Sequence, residues 1–243
     1  LVDAIMIVPL GNAATAAVGV SGRFTFLLNV VAFGFCSGSA TLISQYWGAN
    51  DRGGIHHTYG VAASFSLVFS LLFAAVLRFF PHFCVGLFGP DPAVTEQAVE
   101  YVEILAFGIP FLMFSQVTCA ALRAVEKVNV PLISSFVSVA VNTLFNFCLI
   151  GGHFGFPALG IRGAAIATAL GAVVQAIIVL LFFLFSENPV RCSPGEMFRL
   201  PKGFLLKFFK TAAPVLLNEG MWALGTNIYV MVLARQATED YAG

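Results

Sequence analysis

IRGAAIATALGAVVQAIIVLLFFLF, from Ile161 to Phe185, is the stretch whose reading decides the fold. Arg162 at its start is its only charge, and Thr168 and Gln175 are the only polar side chains deep inside it. A helix that crosses a bilayer needs about 20 consecutive, mostly apolar residues, and this run is long enough. A soluble helix of the same length would show a polar face, and a barrel strand would alternate with period two. The run does neither, so it is read as a membrane span.

Comparable runs lie on both sides of it: Gly22 to Tyr46, Val61 to Phe80, Tyr101 to Leu122, Pro131 to Ile150 and Pro214 to Leu233. The chain opens on LVDAIMIVPL, a stub too short to span and carrying an acid, Asp3. Loops containing Gly, Pro and charge separate the runs: GANDRGGIHH, PHFCVGLFGPDPAVTEQ and SENPVRCSPGEMFRLPK. The composition agrees, with 59% hydrophobic residues, 10% charged and a mean hydropathy of +0.91, against roughly 25% charged in a soluble domain. The expected fold is therefore all-α, a polytopic membrane helical bundle embedded in a lipid bilayer. Twelve basic and twelve acidic residues cancel, so nothing in the charge points to nucleic acid. Five cysteines form no CxxC pair and read as small apolar packing residues. No signal peptide is expected.

Lys and Arg set the expected orientation. One side collects Arg52, Arg123, Lys127, Arg191, Arg199, Lys202, Lys207 and Lys210; the other has Arg23, Arg78, Arg162 and Arg235 beside Asp91, Glu96, Glu100 and Glu103. The richer side is assigned to the cytoplasm, which places Cys84 outside and Cys192 inside. The opening stub then runs outward, as does the last helix. Sliding the end of the chain over its start aligns TNIYVMVLARQATEDYAG with VDAIMIVPLGNAATAAVG, pairing Asp3 with Asn227, Val8 with Val232 and Gly19 with Gly243. Both are read as outward helices followed by an Ala-rich turn, as a parallel repeat requires. The expected organisation is a six-helix lobe over 1–185 with its first helix truncated, an inter-lobe loop over 186–210, and the first helix of a second lobe over 211–243.

Polar groups inside such helices are the candidates for chemistry. Ser134, Ser138, Asn142 and Asn146 recur every four residues and make one polar stripe. Such a stripe serves either to glue helices together or to hold an ion or proton relay. In the next span Gly160, Gly163, Ala164, Ala167 and Gly171 form a small-residue packing stripe beside Thr168. Gly34 and Gly38 pack similarly, and Pro110 is expected to kink its helix. Two acids, Asp3 and Glu219, stand in apolar helices with no Lys or Arg well inside any span. At mid-span an acid costs about 2.5 to 3.5 kcal/mol, against about 0.3 to 0.6 returned by a Leu or Phe, so each marks a site for cations. No P-loop, GxSxG or metal-ligand spacing is present, and neither an enzyme nor a cofactor is expected.

VDAIMI, LGNAATAAVG, ATLISQYWGAND, ALRAVEKVNVP leading into VNTLFN, PALGIRGAAIATALG and APVLLNEGMWALG, in that order, resemble the multidrug and toxic compound extrusion (MATE) antiporters. That resemblance implies two six-helix lobes around a cavity open to one side at a time, the second lobe being the rest of the same chain. It implies a multi-pass protein of the cell's inner or plasma membrane that exports organic cations in exchange for H⁺ or Na⁺. It further implies that Asp3, Asn142, Asn146 and Thr168 form the first lobe's coupling-cation site, with H⁺ or Na⁺ as the ion, and that Glu219 is the acid of the second lobe's site. Some members carry Asp where Asn146 stands, so this chain would bind its ion with one negative charge fewer. The alternative from the same superfamily is a lipid-linked oligosaccharide flippase. That cavity should be basic, whereas acids and amides are found here.

Overall fold

The computed structural model describes residues 6–88, 91–191, 195 and 203–240. Met6 and Ile7 are helical and run into a short turn, Val8–Leu10, that ends at Gly11 with φ 103°. That φ suits only a residue without a Cβ, and it breaks the opening helix at Pro9. The chain continues through α1 (Asn12–Gly48), α2 (Arg52–Phe79), α3 (Pro81–Gly86), α4 (Pro92–Ala124), α5 (Asn129–Gly151), α6 (Ile161–Phe185) and α7 (Phe204–Asp240). Five of these, α1, α2, α4, α5 and α6, are long and apolar enough to cross a membrane. Among the described residues the elements are helical, so the all-α bundle holds.

Helix boundaries differ from the sequence expectation in an instructive way. α6 matches it at both ends. α1 starts at Asn12 rather than Gly22, because NAATAAVG is helix and not the expected Ala-rich turn; alanine is the strongest helix former and needs no apolar stripe. At 37 residues, α1 is about 55 Å long, well beyond the roughly 30 Å of a hydrocarbon core. Its first turns therefore reach past the core, and the Arg23 guanidinium lies over the Phe88 ring, 5.1 Å from its centroid. The loop expected over residues 81–97 instead contains α3 and the start of α4. Both begin with Pro in the first turn, where its missing N–H costs nothing. α4 is one continuous helix through Pro110. α7 stays helical through Asp240, so it has no counterpart of the break at Val8–Gly11.

α4 is the hub, packing on α1, α2 and α6; α5 packs on α6, and α7 on α1. One core cluster gathers Phe24, Leu28, Tyr101, Leu105, Ile109, Ile150 and Ile161, and a second gathers Leu42, Ile55, Tyr59, Leu122, Phe183 and Phe208. Large apolar side chains also cover the outside, among them Leu72, Phe79, Phe136, Leu132 and Phe185, while Ser21, Ser39, Thr58, Ser70, Ser115, Thr118, Ser134 and Asn146 are buried. Apolar outside with hydroxyls inside is the distribution lipid imposes and water does not. Most of the buried hydroxyls bond back to the preceding turn, as Ser21 does to the Ala17 carbonyl at 2.9 Å and Thr58 to that of Gly54 at 2.7 Å.

Backbones meet where the small residues fall. A Cβ on Gly38 would lie 2.8 Å from Ala212 of α7, and one on Gly163 would lie 2.7 Å from the Leu149 carbonyl of α5. Both glycines permit close approach, as the packing reading of GxxxG and of the α6 stripe requires. Among the described residues, charges that the sequence assigns to one side pair with each other. Arg78 meets Glu103 at 3.3 Å, and Arg162 grips Glu100 through Nε at 2.8 Å and Nη2 at 2.6 Å.

Candidate functional site

The polar stripe of α5 divides its partners between two helices. Ser134 is buried; it donates to the Pro131 carbonyl at 3.2 Å and lies 3.9 Å from Cys119 Sγ of α4. Ser138 donates to the Gly171 carbonyl of α6 at 2.8 Å. This is glue of the ordinary kind, and it depends on Gly171, where a Cβ would lie 3.2 Å from the Ser138 carbonyl and 3.3 Å from Asn142 Cβ.

Deeper along the stripe the geometry changes. Asn146 is 0% exposed and donates from Nδ2 to Asn142 Oδ1 at 3.3 Å. Asn142 donates to Thr168 Oγ1 at 3.4 Å, and Thr168 donates to the Ala164 carbonyl at 3.0 Å. A chain of two amides and a hydroxyl thus crosses from α5 to α6 through apolar surroundings. Asn142 and Thr168, half-buried, open into a cleft of about 230 Å³ bounded by Thr25 and Leu28 of α1, Leu105 and Ile109 of α4, and Ala169 of α6. Among the described residues no charged side chain lines this cleft.

The sequence-predicted residues divide accordingly. Asn142, Asn146 and Thr168 come together. Asp3 lies outside the described residues. Ile7, one helical turn after Asp3 in sequence, is fully buried in the core cluster that also holds Ile150, Ile161, Ala164 and Ala165. Leu10 reaches Gly160, with Cδ1 3.6 Å from where a Cβ would stand. The opening segment therefore approaches the α5 to α6 connection. Glu219 is in α7 with its side chain outside the described residues; α7 packs on α1, so its helix stands apart from the α5 to α6 seam. Gln175 donates to Ser135 at 3.3 Å on the outer face and takes no part in the site. Thr25 is the polar wall residue that the sequence pattern did not single out, since no periodicity links it to α5.

Chemically, the seam offers carbonyl-type and hydroxyl oxygens without a formal charge. Exchanging O and N within either amide changes no heavy-atom position, so the same framework presents two amide oxygens and one hydroxyl to a hard cation. A proton relay would need a carboxylate added to it.

The comparisons with known proteins match this architecture. The sequence model of the MatE family covers residues 1–148. The chain is 26% identical over 211 residues to the probable multidrug resistance protein YoeA of Bacillus subtilis, covering 86% of this chain and 46% of that protein. It is 31% identical over 173 residues to the probable multidrug resistance protein NorM of Rhizobium meliloti, covering 71% of this chain and 36% of that one. A crystal structure of MATE in the bent conformation superposes with a TM-score of 0.83 at 21% identity, over 93% of this chain and 49% of that chain. A MOP superfamily transporter from Pyrococcus furiosus, described as having reversed pocket polarity and a different function, superposes with a TM-score of 0.82 at 20% identity, again over 93% and 49%. The chain spans between about a third and a half of the length of these relatives. With five apolar spans and a family match over more than half its length, this multi-pass membrane protein belongs to the MatE family.

Proposed function

We propose that the chain is the first lobe of a cation-coupled antiporter that exports organic cations by alternating access, with H⁺ or Na⁺ as the driving ion. The observation that carries this reading is the Asn146, Asn142 and Thr168 chain opening into a cleft inside an otherwise apolar bundle. In sequence Asp3 stands four residues before Ile7, which is fully buried in the cluster that holds Ile161, Ala164 and Ala165 of α6. The seam then supplies oxygens and amide donors, and Asp3 supplies the charge. Proton or ion and substrate compete for one negative group, and that competition is the coupling. Glu219, on the separate α7, serves a second site with the other lobe. The multidrug resistance named for the relatives supports an exporter of drugs.

A lipid-linked oligosaccharide flippase would need cationic side chains toward a pyrophosphate headgroup. Among the described residues the cleft is lined by apolar, hydroxyl and amide groups, with no cationic side chain to receive a pyrophosphate. The test is a proteoliposome assay of the full-length two-lobed protein with fluorescent organic cations under imposed H⁺ and Na⁺ gradients. Uphill cation movement under either gradient is expected. Movement of a pyrophosphate-linked lipid with no cation transport would overturn the reading. The 243-residue chain by itself should transport nothing, because rocking needs two halves.

A further inference from the structure

At the Lys- and Arg-rich end of the bundle, the α1 to α2 turn, the α4 to α5 turn and the segment after α6 enclose a second cleft of about 620 Å³. It is unlike the first. Three cations, Arg52, Lys127 and Arg191, and two acids, Glu126 and Glu187, line it beside Trp47. All five charged groups are exposed, and none of the three cations makes an ion pair with a described carboxylate.

The cleft is built, not incidental. Glu126 is held at φ 64°, a left-handed conformation that favours glycine, by the Lys127 N–H donating to the Leu122 carbonyl at 2.9 Å. The segment after α6 is folded by Asn188, whose Oδ1 accepts from the Val190 N–H at 3.2 Å, and His56 Nε2 lies 3.2 Å from the Pro189 carbonyl. Each of these two segments carries an acid and a cation close in sequence, Glu126 with Lys127 and Glu187 with Arg191, and among the described residues neither pair forms an ion pair. Trp47, at the end of a spanning helix, sits where an indole marks the headgroup layer.

We propose that this cleft binds the zwitterionic headgroup of an aminophospholipid of the phosphatidylethanolamine class. Arg52, Lys127 and Arg191 receive the phosphodiester, Glu126 and Glu187 receive the ammonium, and Trp47 lies against the glycerol region. A purely anionic headgroup would face the two acids, and a choline headgroup has no N–H to donate to them. The lipid would tie three turns of this lobe together without entering the first cleft.

Native mass spectrometry of the delipidated full-length protein, titrated with lipids of matched acyl chains, tests this. Phosphatidylethanolamine should be retained at least about tenfold better than phosphatidylcholine or diacylglycerol, and should raise the thermal unfolding midpoint. Arg52→Gln combined with Lys127→Gln and Arg191→Gln should remove that retention. Independently, Glu126→Gln with Glu187→Gln should keep lipid binding but shift preference to phosphatidylglycerol. Equal retention of all lipids, a triple variant that still selects phosphatidylethanolamine, or equal stabilisation by free phosphoethanolamine or inorganic phosphate would overturn the proposal.

Discussion

Two of the amide contacts that join helices in this molecule differ in what surrounds them. Asn29 of α1 accepts from Gln116 of α4 at 3.0 Å on an exposed face beside a cleft of about 470 Å³, and among the described residues no second amide bonds to the pair. Asn142 of α5 reaches Thr168 of α6 at 3.4 Å with the fully buried Asn146 behind it and open volume in front. The shorter bond is the simpler one. An amide that meets a single partner at the rim of a helix pair is glue; one backed by a second, fully buried amide is placed to exchange partners.

The largest expected difference between the two comes from leucine at each. Asn146→Leu leaves Asn142 without its buried neighbour, at a cost of about 1 to 3 kcal/mol for the unmatched group. In the full-length protein it should lower coupled efflux at least about tenfold, which initial rates in proteoliposomes measure. Next is Gly171→Leu, which drives a side chain toward the Ser138 carbonyl and the Asn142 Cβ, where even a single carbon has 3.2 to 3.3 Å. It should close the cleft at an overpacking cost of about 1 to 3 kcal/mol, seen as a lower unfolding midpoint in detergent together with lost transport. Asn29→Leu should cost only about 0.6 kcal/mol, the average for a hydrogen bond between membrane helices, and should leave efflux rates at the parent level. If Asn29→Leu and Asn146→Leu lower efflux alike, the distinction between glue and site fails.

The smallest expected effect concerns orientation and leaves stability unchanged. Cys84 is not the reporter that the sequence offers, because it is 6% exposed in α3 and burial pushes its thiol pKa up; Cys192 lies outside the described residues. His82, exposed on the same short helix, is the better position. On intact cells His82→Cys should react with a membrane-impermeant maleimide while Cys84 does not. Protection of the new cysteine would reverse the assignment of the Lys- and Arg-rich end to the cytoplasm.

The apolar runs made the spans legible, and the match of α6 at both termini shows how strongly length and apolarity determine a membrane helix. The start of α1 was missed for the opposite reason, since Ala, Gly and Ser carry helix or loop equally well on a hydropathy scale. The four-residue spacing of α5 exposed Asn142 and Asn146, because i and i+4 share a face in any helix. Nothing local could expose Thr25 or Leu28 as walls of the same cleft, for they arrive from α1 through tertiary packing. The grip of Arg162 on Glu100 is likewise a contact across 62 residues, although the charge division already placed both at one end.

The central claim is that the α5 to α6 seam completes a coupling-cation site whose charge is Asp3. The most direct test is uphill efflux of a fluorescent organic cation from proteoliposomes carrying the full-length protein, comparing the parent with Asp3→Asn at equal reconstituted amounts. The account predicts that Asp3→Asn inserts and unfolds like the parent but moves no substrate against its gradient, while Asn146→Asp transports with an altered dependence on H⁺ and Na⁺. Asp3→Asn exporting at the parent's rate would contradict it.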